Sequence, residues 1–129
     1  MVQVEIINIG DELLIGQVVN TNASQMAQKL NSYGFNVLAT SIIGDNQNQI
    51  RKSLDIALKR ADCVLITGGL GPTKDDITKK TLAEYFKSDL IIDKEVEEHV
   101  KSYFKRKQLP FTETNRAQAL VPEKCKVIF

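Results

Sequence analysis

A chain of 129 residues, 43% hydrophobic and 26% charged, has single-domain length and enough apolar content for one core. Its formal net charge of +1 excludes recognition of nucleic acid or membrane through a bulk basic field. No apolar run approaches the length of a membrane span, and the two cysteines, Cys63 and Cys125, lack metal-type spacing. These features fit a reduced, cytoplasmic protein.

The opening MVQVEIINIG lacks the basic start of a signal peptide. Val2, Val4, Ile6, Ile7 and Ile9, ended by Gly10, predict a buried first strand. After GDELLIGQVVN, Ala23, Met26, Ala27 and Leu30 follow helical spacing. Asn20 to Asn22 can cap that helix and Gly34 can end it. FNVLATSII (35–43) predicts a second strand, followed by a turn and helix cap at Gly44-Asp45-Asn46. Ile50, Leu54, Ala57 and Leu58 predict a second amphipathic helix, and Lys59-Arg60 suits its C-terminal dipole end. DCVLIT (62–67), almost wholly apolar, reads as a strand covered on both faces.

A third helix is predicted from about Asp76 to Phe86, with Leu82, Ala83 and Phe86 on one side. DLII (89–92) is a short extended piece. Asp93 then caps a fourth helix with Val96, Val100, Tyr103 and Phe104 facing inward, broken at Leu109-Pro110. TETNRAQALVPEKC is ambiguous, and KVIF at the chain end reads as a strand. Alternating strands and helices predict an open α/β sheet with helices on both faces. A covered strand at the C-terminus would leave one face bare, so either a fragment of a larger protein, inactive by itself, or a domain shortened on its C-terminal side is expected.

The stretch ITGGLGPTKDD (66–76) carries the chemistry. In open α/β sheets, ligands bind beyond the carboxyl ends of the strands, where 68–75 fall. Glycines let backbone N–H groups approach a ligand, and the next helix start adds its positive dipole end. Together they favour an anion such as phosphate, with Thr73 as an added donor; a plain turn is the alternative. Walker A and dinucleotide spacings both fit badly. Asp75 and Asp76 would repel a phosphate unless a cation lies between them, as Mg²⁺ does with one or two carboxylates. One of the pair also suits a helix cap. Asp11 and Glu12 after the first strand, and Asp45 after the second, fall at the same edge, with turn and cap roles as alternatives. Asn20 and Asn22 can reach ligand there or cap the helix. His99 lies among glutamates as a surface residue, and Ser41, Thr67 and Thr73 lack a partnered base, so nucleophilic catalysis is not indicated.

NIGDELLIGQVVNTNASQMAQKL, IIGDN and ITGGLGPTKDDITKKTLAEYF together resemble the N-terminal domain of the CinA family of competence/damage-inducible proteins. That family lies within the molybdopterin-binding superfamily that includes MoaB, MogA and gephyrin domains. TNRAQALVPEKCKVIF is similar to a later family segment. The resemblance spans nearly the whole chain, taken as one domain over 1–129. It implies a three-layer α/β/α sandwich with a mostly parallel sheet, and an anionic ligand at the GGLG turn.

In the wider superfamily the implied ligand is the phosphorylated pterin, molybdopterin. In the CinA branch the implied activity is metal-dependent pyrophosphatase action on ADP-ribose, with Mg²⁺, Mn²⁺ or Co²⁺. Carried over, Asp11, Glu12, Asp75 and Asp76 form the metal site, and Asp75, Asp76 and Asp45 the catalytic acids. Gly68, Gly69, Gly71, Thr73, Asn22 and Asn115 hold phosphate or ligand, and Arg116 and Gln118 border the site. A homo-oligomer, visible by light scattering, is also implied. The family's second glycine turn falls past Phe129, as does the amidase domain of full CinA proteins.

Overall fold

The computed structural model describes residues 1–70 and 77–129. These fall into two compact units, Met1–Leu70 and the residues from 77 to 129. The first holds a parallel sheet of three strands, β1 (Gln3–Ile9), β2 (Asn36–Ile43) and β3 (Cys63–Thr67), in the order β2-β1-β3. Helices α1 (Asp11–Leu14), α2 (Thr21–Ser32) and α3 (Gln47–Arg60) connect them.

Local sequence sets these bounds. Asn20 caps α2 by accepting from the Ala23 N–H at 3.3 Å, and Gly34 ends it with φ +85°. Asn46 caps α3, accepting from the Gln49 N–H at 3.1 Å. The β-branched run of β1 occupies the centre, and Val4 to Ile9 are buried. Ile6, Ile7 and Ile9 are core residues, as are Ile50, Leu54 and Ala57 of α3. Each fully buried Ile or Leu contributes about 1.5–3 kcal/mol. β2 alternates exposed and half-buried residues along its length. β3 is half-buried from Val64 to Thr67, not fully covered. The one buried carboxylate of β1, Glu5, accepts from Arg60 Nε at 2.6 Å, tying the end of α3 to the sheet.

The strand order determines where a ligand can lie. The chain steps one way from β1 to β2, then back across β1 to β3. Right-handed crossovers put α2 and α3 on opposite faces. The sheet therefore has its switch point between β1 and β3, where a crevice opens past the strand ends.

The second unit contains α4 (Ile77–Tyr85), β4 (Leu90–Ile92), α5 (Lys94–Arg106), α6 (Glu113–Arg116), a 3-10 turn (Ala117–Ala119) and β5 (Leu120–Pro122). Asp93 caps α5 by accepting from the Val96 N–H at 3.0 Å. Val96, Val100 and Phe104 of α5 are half-buried, but Tyr103 is exposed, as is Phe86 after α4. The buried stripe of α4 is Thr78, Thr81 and Ala83.

The predicted KVIF strand does not form. The strand of this region is β5, inside the ambiguous stretch, paired antiparallel with β4. Past Pro122 the chain turns, with the Cys125 N–H on the Pro122 carbonyl and the Lys124 N–H on Ser88 Oγ. Ile128 and Phe129 are left exposed, with no strand pairing them among the described residues. Apolar alternation alone makes no strand without a neighbour.

Candidate functional site

Three parallel strands bring three loops to one edge. Gly10 follows β1, Gly44 follows β2 and Gly68 follows β3. The Gly10 N–H reaches the Ile43 carbonyl at 2.9 Å, joining the first two. Asp11 and Asp45 join them again. The Asp45 N–H donates to Asp11 Oδ1 at 3.0 Å, and the Asp11 N–H donates to Asp45 Oδ2 at 3.3 Å. The two predicted carboxylates do meet, each holding the other's backbone.

The third loop is fixed by contact. Gly68 has φ +91°, and a Cβ placed on it would lie 1.9 Å from the Ile9 carbonyl oxygen. Only glycine lets the β3 exit pass this close to the end of β1. Gly69 follows, also left-handed, with φ +65°.

A cavity of about 270 Å³ opens at this switch point. Its apolar walls are Ile9, Leu13, Val18 and Val19, and its polar groups come from Glu12, Asn20, Thr21, Asn22 and Thr67. The loop from 15 to 20 hangs on the Glu12 carbonyl, which accepts from the Gln17 and Val18 N–H groups at 2.9 and 3.2 Å. That turn brings Val18 and Val19 over the strand ends. Glu12 folds back over Gly10, where its Oε1 would be 2.6 Å from an added Cβ. A larger cavity of about 410 Å³ lies in the second unit, against Leu82, Phe86 and Pro122. Its lining is nearly all apolar, and the Lys124 amine donates to the Phe86 carbonyl. Of these two cavities, the smaller, half-polar one has converging polar groups.

Glu12, Asn22 and Gly68 thus line one cavity, with Asn20 both capping α2 and facing it. Gly71, Thr73, Asp75 and Asp76 lie outside the described residues. Asn115 belongs to the second unit, its amide donating to the Pro110 carbonyl at 3.3 Å. Gln118 is exposed. Arg116 donates to Glu97 on α5 at 2.7 Å, and Lys101 adds a contact at 3.4 Å. The Arg116 hydrogen bond holds the Glu97 carboxyl below its usual range. A depressed carboxyl stabilises the fold above its unfolded pKa and loses that contribution as pH falls through the folded value. An Arg116→Gln variant is expected to melt below wild type at neutral pH, and the gap should close as pH falls through the folded Glu97 value. Melting curves at several pH values check this.

Sequence reasoning missed Asn8 as a site residue. It is fully buried on β1, donating through Nδ2 to the Ser41 carbonyl at 3.2 Å and accepting from Thr67 Oγ1 at 2.8 Å. The available signal was a lone amide within an apolar strand, because a buried amide needs partners.

A family model described as a probable molybdopterin binding domain matches residues 5–128. The chain belongs to this family. Within it, the domain is CinA-like. The CinA-like protein of Flavobacterium psychrophilum is 49% identical over 128 residues, covering 96% of this chain and 30% of that protein. A competence-damage inducible protein of Caldicellulosiruptor saccharolyticus is 49% identical over 119 residues, covering 92% of this chain and 29% of that protein. The chain therefore spans about a third or less of these curated relatives' length.

CinA of Thermoplasma acidophilum superposes with a TM-score of 0.84 at 32% identity, over 96% of this chain and 72% of that one. The tungsten cofactor synthesizing protein MoaB of Pyrococcus furiosus shares the fold, with a TM-score of 0.64 at 22% identity over 93% and 69% of the two chains. The molybdopterin-binding domain seen here is an α/β fold, its parallel three-strand sheet flanked by helices. No described helix is long and apolar enough to cross a membrane.

Proposed function

We propose that the switch-point cavity binds a phosphorylated heterocyclic molecule of the ADP-ribose type, and that the domain hydrolyses its pyrophosphate bond. The carrying observation is one cavity that joins apolar walls, a carboxylate and the glycine exit of β3. The ring would sit between Val18, Val19 and Ile9. The phosphates would extend toward the glycine stretch, where backbone N–H groups can hold charge that develops on the departing oxygen.

A divalent cation of the Mg²⁺ kind is part of this reading. Among the described residues, no three His, Cys, Asp or Glu side chains form a metal cluster. Asp11 and Asp45 each already accept a backbone N–H. Glu12 is the described carboxylate that faces the cavity, and Mg²⁺ commonly takes one or two carboxylates together with phosphate oxygens and water. Glu12 would help to hold the ion, which when bound would polarise a phosphoryl oxygen and acidify water; Asp75 and Asp76, also expected as ligands from the sequence, lie outside the described residues.

The test is ADP-ribose turnover by this chain with Mg²⁺, Mn²⁺ or Co²⁺, against the same protein with a chelator. AMP release that disappears on chelation is expected. Absence of turnover with every ion would defeat the hydrolase reading. The family match supports molybdopterin as a ligand, and a second reading is that the domain binds it without metal and without chemistry. Tight pterin binding without hydrolysis would select it.

A further inference from the structure

We propose that Thr67 acts on the ligand only as a hydrogen-bond acceptor, locked in that polarity by Asn8, so that the cavity selects the amino edge of a heterocycle over an oxo edge. This rests on the nucleotide-binding reading above. The chain of partners leaves no freedom. The Ser41 carbonyl can only accept, so the NH₂ of Asn8 must face it, at 3.2 Å. The Asn8 carbonyl oxygen therefore faces Thr67 and can only accept. The single Thr67 proton lies on that oxygen at 2.8 Å, leaving lone pairs alone on the cavity side. Asn8 is fully buried, so no water competes for its amide.

Asn20 has committed its oxygen to the Ala23 N–H and keeps its NH₂ as a donor on the α2 side. This locked acceptor of Thr67, set among Ile9, Leu13, Val18 and Val19, matches a flat ring whose edge carries an N–H donor. A ring oxygen placed against Thr67 would meet lone pairs, with no proton available from Asn8. Discrimination of this kind is strong because the buried partner cannot adapt.

The test compares binding of ADP-ribose and its hypoxanthine analogue, which carries a 6-oxo group, by calorimetry. The wild-type chain is expected to prefer the amino ligand at least about tenfold, the value of one hydrogen bond. Thr67→Ser should keep the preference and Thr67→Val should lose most of it. In Asn8→Leu the Thr67 proton is released, so the oxo ligand should gain affinity and the preference should collapse. General damage would instead weaken both ligands alike. Equal wild-type affinity for the two ligands, or an undiminished preference in Thr67→Val, overturns the polarity lock and leaves nucleotide binding standing. Binding of neither ligand by wild type overturns the nucleotide reading, and the lock with it.

Discussion

A Gly68→Ala variant is expected to lose more than about 3 kcal/mol of stability, together with its ligand binding. Two costs combine. An L-residue at φ +91° costs roughly 1–2 kcal/mol by itself. The new Cβ would also fall 1.9 Å from the Ile9 carbonyl oxygen and 2.9 Å from its carbon. Backbone cannot move aside as a flexible side chain can, so β1 and β3 must separate at their exits. That separation opens the cavity floor, where Ile9 and Thr67 are neighbours of Gly68. Gly34→Ala separates the two costs. Gly34 has nearly the same φ, +85°, with nothing within 4 Å of an added Cβ. It should show the dihedral cost alone, about 1–2 kcal/mol. Urea midpoints of the two variants decide the matter. Equal losses would mean that the close approach of β3 to β1 is not what holds the site.

The strength of each sequence signal explains what could be read in advance. β1, β2, β3 and α2 to α5 each carry their own local pattern, with a cap as well at α2, α3 and α5, and local physics sufficed to predict them. Asp93 is an example, since its carboxylate needs only a donor three residues on. KVIF failed because a strand is defined by its partner. β4 takes Leu120–Pro122 instead, where the sequence shows no alternation. The short α1 was not predicted either. Four residues give no period, and its turn depends on the Gly10 carbonyl accepting from Leu13 and Leu14. The inward side of a helix was also read too broadly. Tyr103 and Phe86 lie near their predicted stripes but reach solvent, while Thr78 and Thr81 are buried.

The site follows the same logic. Parallel strands at known chain positions must deliver Asp11, Asp45 and Gly68 to one edge, and this was legible. What each residue does there was not. The partner of Asp11 lies 34 residues away and that of Asn8 lies 59 away at Thr67. No spacing rule reaches so far. The need for glycine at 68 could be suspected from the turn, but the Ile9 carbonyl as the reason could come only from the fold.

The five predicted carboxylates are expected to separate into two classes when each is changed to the neutral amide. With the proposed pyrophosphatase activity and metal site, Asp75→Asn with Asp76→Asn should lower ADP-ribose turnover by more than about 100-fold, because loss of a ligand would exceed the 10- to 100-fold cost of disturbing a ligand's support. Glu12→Gln should fall in the same class. Asp11→Asn and Asp45→Asn should keep turnover within a few-fold. An amide oxygen accepts the opposing N–H as a carboxylate does, so the exchange at 3.0 and 3.3 Å survives. Asp11→Ala and Asp45→Ala remove the acceptor and should lower both stability and activity, since the loops after β1 and β2 come apart. Steady-state rates across a metal titration separate binding from support. A ligand variant needs more metal or never reaches wild-type rate, whereas a support variant shows an unchanged metal requirement. Should Asp45→Asn lose turnover as fully as the Asp75 and Asp76 pair, Asp45 would be working on the substrate or ion, and its bond to Asp11 would be the way it is aimed.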